Sequence, residues 1–226
     1  MERPAAPIPG APIPAAPTPT ALFTAKSLTH PLLPWNTAVP NDITLTADPQ
    51  FLLISGSNMA GKSTLLRAIG ANAVLALAGA PVAARSLQMV ALHLGASIVI
   101  GDSLAEGKSK FLAEVERLKS LVEQARTHPA QTLFLIDEVL SGTNSLDRKA
   151  AAESVLRSLT AAGAIGAIST HDLTLAALAD IPELQGQNVH MASPDENDPL
   201  GFDYILKPGM NQTTNAMAIV RMLGLG

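Results

Sequence analysis

The chain has 226 residues, 47% of them hydrophobic and 15% charged, with a formal net charge of −4 and an isoelectric point near 5.7. That is enough apolar material for one buried core, and the acidic balance excludes a fragment that grips nucleic acid by itself, since such affinity needs clustered Lys and Arg against phosphates. The absence of cysteine excludes disulfides and thiolate metal sites and fits a reducing cytoplasm, and the longest apolar stretch, Val74 to Ala84, is too short for a bilayer span and is broken by Gly79 and Pro81, so no membrane association is expected.

Residues 1–20 alternate Pro and Ala with Ile and Thr, a composition that favours extended polyproline conformation, and residues 1–25 are expected to be a disordered tail or linker. From Lys26 the composition turns globular, which predicts one domain over 26–226. A strand is expected at Ile43 to Thr46, with Asp48-Pro49 turning into the first core strand, Phe51-Leu52-Leu53-Ile54. Ser63 to Leu77 reads as a buried helix stopped by Gly79-Ala80-Pro81. Short strands at Leu87 to Leu92 and Ile98 to Ile100 are expected to flank Gly95, followed by a loop to Ser109. Phe111, Val115, Leu118, Leu121, Val122 and Ala125 recur at helical spacing up to His128-Pro129. Thr132 to Ile136 reads as a strand buried on both faces of a parallel sheet, ending in Asp137-Glu138. A helix from Arg148 to Ala162, a strand from Ala164 to Ser169 tipped by Thr170-His171-Asp172, and a short helix to Ala179 follow. Strands at Val189 to Ala192 and Phe202 to Leu206 and a helix at Thr214 to Leu223 are expected to extend the sheet at one edge. No repeat is present, so the alternation predicts an α/β domain with a mainly parallel sheet flanked by helices and antiparallel edge strands.

Three stretches carry chemistry. Gly56-Ser57-Asn58-Met59-Ala60-Gly61-Lys62-Ser63-Thr64 has the spacing G-x-x-x-x-G-K-S between a strand and a helix. Its glycines let backbone wrap a polyphosphate, Lys62 meets β- and γ-phosphate charge, and the Ser63 hydroxyl is a Mg²⁺ ligand. Asp137 and Glu138 at a strand end fit the second half of such a site, the first acid at Mg²⁺ and the second as base for an attacking water. His171, at the tip of the next strand, can reach a γ-phosphate or that water; His30, His93, His128 and His190 read as surface or packing residues. Gly107-Lys108-Ser109 before a long helix leaves two readings open, a phosphate contact or an N-cap, and Asp147 reads as an N-cap.

Taken together these segments resemble the ATPase domain of the MutS family of DNA mismatch repair proteins, within the wider ABC class of P-loop NTPases. The loop is similar to the family's G-P-N-M-G-G-K-S-T, with the shared Asn58-Met59. Asp102 to Phe111 with Glu114 resembles its signature D-x-L-x-x-G-x-S-x-F-x-x-E. Leu135-Ile136-Asp137-Glu138 with Gly142-Thr143 to Asp147, Ser169-Thr170-His171, and Phe202 to Gly209 resemble its later motifs, while His30-Pro31 and Pro40-Asn41-Asp42 fit its opening strands. The resemblance implies an Mg²⁺-dependent ATPase with composite sites shared across a homodimer. Lys62, Ser63 and Asp137 would hold ATP and Mg²⁺ in one subunit and Gly107 and Ser109 would close the site from the other. It also implies DNA contact only through domains absent from this chain. Ser57 and Ala60 replace the family's Pro and Gly, and Ala38 stands where many relatives carry an adenine-stacking aromatic, leaving Trp35 as the substitute. Two other functions remain as alternatives: a nucleotide-binding interaction module with negligible turnover, and an ABC transporter nucleotide-binding subunit, which fits less well because Leu140-Ser141-Gly142 follows Asp137-Glu138 and no Leu-Ser-Gly-Gly loop or long helical insertion precedes that pair.

Overall fold

A computed structural model of the protein describes residues 21–57, 59–98, 110–140, 144–195, 198 and 200–211. In chain order it contains β1 (Ala21–Leu28), β2 (Asn41–Thr46), β3 (Phe51–Ser55), α1 (Lys62–Leu77), β4 (Ser86–Met89), β5 (His93–Ser97) and α2 (Lys110–Thr127). Then come β6 (Thr132–Asp137), α3 (Ser145–Ala161), β7 (Ile165–Thr170), α4 (Leu173–Ala176), two 3-10 turns, β8 (Gly186–His190) and β9 (Lys207–Pro208). One sheet has the order β5-β6-β7-β3-β8-β9 and a second, antiparallel sheet the order β2-β1-β4. Within the large sheet only the β8–β9 pair is antiparallel. This is the expected α/β architecture.

The continuous apolar runs of β3 and β6 are explained by cover on both faces, and β7 is buried along its whole length in the same way. Strand periodicity divides their side chains in two. Leu52, Ile54, Leu133, Leu135, Ile165 and Ala167 join Leu66 and Ile69 of α1 and Phe23, Ile43 and Leu45 of the small sheet in one core. Phe51, Leu53, Phe134, Ile136 and Ile168 join Leu118 and Leu121 of α2, Leu156 and Leu159 of α3 and Leu175 of α4 in the other. By contrast β2, covered on one face, alternates buried and exposed positions.

Several boundaries differ from the sequence expectation, each for a local reason. β1 begins at Ala21, inside the stretch assigned to the tail, because Phe23 and Ala25 are fully buried against β2 and β4. Gly95 lies within β5 instead of between two strands: a Cβ there would stand 2.2 Å from Leu121 Cδ2, so the glycine makes room for α2. The N-cap of α3 is Asn144, not Asp147; its Oδ1 accepts the Asp147 amide at 2.9 Å. Phe202 to Leu206 forms no ladder, since the Asn41 side chain takes both the Tyr204 carbonyl (3.0 Å) and the Leu206 amide (2.7 Å). The expected strand end Val99-Ile100, the loop to Ser109 and the helix Thr214 to Leu223 lie outside the described residues.

Candidate functional site

The three buried parallel strands β3, β6 and β7 all end on the same edge of the sheet, where ligands of open α/β sheets bind. Between β3 and α1 the chain makes the glycine-bounded loop. Gly56, at φ 152°, passes so near β8 that a Cβ would meet the Met191 carbonyl oxygen at 2.2 Å, so no side chain fits. Gly61, at φ 99°, is the N-cap of α1, and among the described residues no side chain caps that helix. Its first amides therefore remain available to an anion. Ala60 is buried and donates its N–H to the Ser57 carbonyl at 3.3 Å; Met59, at φ 72°, is exposed. Ser63 and Thr64 line the adjoining cleft. Asn58 lies outside the described residues.

Lys62 is 4% exposed, and a buried ammonium needs partners. It donates to the carbonyls of Gly56 (2.7 Å) and Ser57 (2.9 Å), and Glu138 Oε1 stands 3.7 Å away. Burial pulls its pKa below the ordinary lysine value, and the charges of Glu138 and Asp137 oppose that shift.

Because β7 lies between β3 and β6, its end reaches both the phosphate-type loop and the strand-end acids. Ser169 uses that position. Its hydroxyl donates to Asp137 Oδ1, and its carbonyl accepts the Glu138 amide at 3.2 Å. Two residues on, His171 Nδ1 meets Glu138 Oε2 at 2.5 Å. Glu138 thus bridges Lys62 and His171, which brings the three residues singled out for catalysis into one cluster.

The cleft beside this cluster has a volume of about 590 Å³ and runs from Glu138, Lys62 and Ser63 to Leu33, Thr37 and Val39, a size that suits a nucleotide. Asn72, fully buried on α1, holds its far wall: its amide donates to the Thr29 carbonyl at 2.9 Å and its oxygen accepts the Ala83 amide. Two lining residues were missed from sequence. His30 lines the cleft, although it reads as packing; Leu32 N–H donates to its Nδ1, so a neutral ring carries its proton on Nε2. Tyr204 lines it too, its ring over Gly61, while Trp35 is 90% exposed and not part of the lining. The signals were present in His30-Pro31 and in the Phe202 to Gly209 segment, but only the fold tells which aromatic faces the loop. Gly107, Ser109, Gly142 and Thr143 lie outside the described residues.

The donor set fits a magnesium–nucleotide complex. A buried lysine, an uncapped helix start and the half-buried Ser63 face one space, and the orphaned, buried Ser57 hydroxyl in the loop has polar capacity left over. Mg²⁺ keeps most of its waters and needs few protein oxygens, so a hydroxyl such as that of Ser63 and one carboxylate such as that of Asp137 would be enough to hold it, and among the described residues no cluster of three acidic or imidazole side chains exists to hold a more demanding ion.

Residues 52–226 match the MutS domain V family. Among curated proteins, the chain is 35% identical over 202 residues to a DNA mismatch repair protein MutS of Thermus thermophilus, covering 87% of this chain and 23% of the relative. It is 34% identical over 194 residues to the DNA mismatch repair protein MutS 2 of Halobacterium salinarum, covering 83% and 21%. It is also 31% identical over 205 residues to the Endonuclease MutS2 of Thermomicrobium roseum, covering 88% and 25%. The chain therefore spans about a quarter of the length of these relatives. The loop, the strand-end acids and the histidine-tipped strand thus stand in a chain that belongs to the MutS family and corresponds to its domain V.

Proposed function

We propose that this chain is the ATP-hydrolysing module of a MutS-like DNA mismatch repair protein, working in the cytoplasm as a transient homodimer. The observation that carries the reading is Glu138 held between Lys62 (3.7 Å) and His171 (2.5 Å) at the mouth of the cleft. In this reading the polyphosphate lies along Gly56 to Thr64, with Asn58 and Ala60 in its cradle. Lys62 exchanges the Gly56 and Ser57 carbonyls for β- and γ-phosphate oxygens, and α1 turns its free amides toward the same charge. Ser63 and Asp137 hold Mg²⁺, which neutralises phosphate charge when bound. Ser169 keeps the Asp137 carboxylate aimed, and Glu138 takes the proton of the attacking water while His171 steadies it. Tyr204 and His30 receive the base, the phenol ring in place of the missing aromatic at Ala38.

The second half of the site comes from another copy of the chain, whose Gly107 and Ser109 close over the γ-phosphate. DNA is contacted through other domains, consistent with the acidic balance of this chain. No helix among the described residues is long and apolar enough to cross a membrane. The test is ATP turnover per subunit across protein dilution, with wild type and Ser109→Ala. A rate that rises with concentration and collapses in the variant is expected. A rate flat across dilution, or full activity in Ser109→Ala, sinks the shared-site part.

A further inference from the structure

The chain leaves β6 along a strained path. Glu138 has φ 55° and Leu140 φ 52°, two side-chain-bearing residues in the left-handed region, a conformation that persists only where the surroundings enforce it. Two charged side chains do so at Leu140. Its amide donates to Glu114 Oε1 from α2, and its carbonyl accepts from Arg148 Nε, in the first turns of α3, at 3.0 Å. The same guanidinium reaches onward: Nη1 lies 3.3 Å from Asp172 Oδ2, and both side chains are 14% exposed. Asp172 follows His171 directly and caps α4, its Oδ1 accepting the Thr174 amide (2.9 Å) and hydroxyl (2.7 Å). Burial pushes the Asp172 carboxyl up, but the Thr174 hydrogen bonds and the charges of Arg148 and His171 outweigh it and hold the group below the usual carboxylate range.

We infer that Arg148 is a positioning residue that locks the Glu138–Leu140 turn to the His171–Asp172 loop, so that the Glu138 carboxylate and the His171 imidazole are held as one unit. The planar fork of arginine suits the task, because it donates in two fixed directions at once, which a lysine ammonium cannot reproduce. An ordinary surface ion pair contributes little; this one is mostly shielded from solvent and bridges two loops that each carry a residue of the cluster. The inference rests on the hydrolytic reading proposed above and adds to it Arg148 and Asp172, neither of which faces the cleft.

The test combines amide hydrogen exchange with steady-state ATP turnover on wild type, Arg148→Ala and Asp172→Asn. Asparagine also caps helices, so Asp172→Asn removes the charge while keeping the Thr174 bonds, and it carries the test if Arg148→Ala fails to fold. In Arg148→Ala, protection of the Glu138, Leu140, Asp172 and Thr174 amides is expected to fall about tenfold or more while the amides of α1 stay protected. The expected kcat falls roughly 10- to 100-fold with KM within about twofold, because the misplaced groups act on the reaction and not on binding. Asp172→Asn moves the same observables in the same direction by less. Unchanged exchange in both segments, or a rise in KM with kcat intact, overturns the inference. If the wild type cleaves no ATP while the variants still lose protection in both segments, the hydrolytic reading falls and the clamp stands.

Discussion

The two banks of the cleft are built by different means. On one side, the loop from Gly56 to Thr64 is a single run of chain: Gly56 sits where no side chain fits, Gly61 takes a φ of 99°, and the helix start keeps its amides free. On the other, Ser169 of β7 bonds Asp137 and Glu138, and the turn that follows them is held at Leu140 by Glu114 of α2 and Arg148 of α3. The difference teaches where each kind of mutation should be felt. Changes to the loop bank are expected to act mainly on folding and nucleotide affinity, and changes to the acid bank mainly on the rate of the proposed cleavage.

The largest expected effect on stability is that of Gly56→Ala. Its Cβ would overlap a backbone oxygen just beyond β8 that cannot swing aside, so a loss of about 3 kcal/mol is expected, read from urea denaturation midpoints. A midpoint within experimental error of wild type would mean that the loop is not wedged against that backbone. Next is Lys62→Met, which keeps most of the volume and removes the ammonium. Charge-assisted bonds are worth about 1.5–3 kcal/mol, so affinity for a fluorescent ATP analogue should fall roughly 10- to 100-fold, while the fold, relieved of a buried charge, keeps its stability.

This contrast also explains what could be read from sequence. The strand, loop and helix around Lys62 were legible because spacing alone defines them, and the continuous apolar run of β6 marked a strand covered on both faces. The acid bank was legible only as isolated residues: nothing in the spacing of Glu114, Arg148 and Asp172 says that they converge on one turn. His30 and Tyr204 were hidden for the same reason, since the cleft wall they form is assembled by Asn72 and Asn41 from distant segments. β1 was missed because a run of Pro and Ala obscured the burial of Phe23, and Gly95 looked like a break because its partner, Leu121, lies on another element.

A smaller effect sharpens the boundary of the acid bank. Asn144→Ala removes the cap that orients the first turn of α3 and with it Arg148, at a cost of about 1 kcal/mol; thermal unfolding reads it, and no change would show that the turn is fixed by other contacts. Smallest is a pH effect at Asp172. Its folded pKa lies below the unfolded value, which is about 3.9. The contribution is therefore complete above that value and is lost as pH falls through the lower folded pKa. Comparing urea midpoints of wild type and Asp172→Asn should show a gap near neutral pH, under about 1 kcal/mol, that closes in acid; a gap that persists below the folded pKa would contradict the assignment.

The most direct test of the central claim is single-turnover cleavage of ATP by Glu138→Gln beside wild type. Both are expected to bind Mg²⁺–ATP with affinities within a few-fold, while the variant cleaves it about 10²- to 10⁴-fold more slowly, as loss of a positioned base requires. Cleavage by Glu138→Gln at the wild-type rate would contradict the account, because Glu138 would then be a bystander between Lys62 and His171.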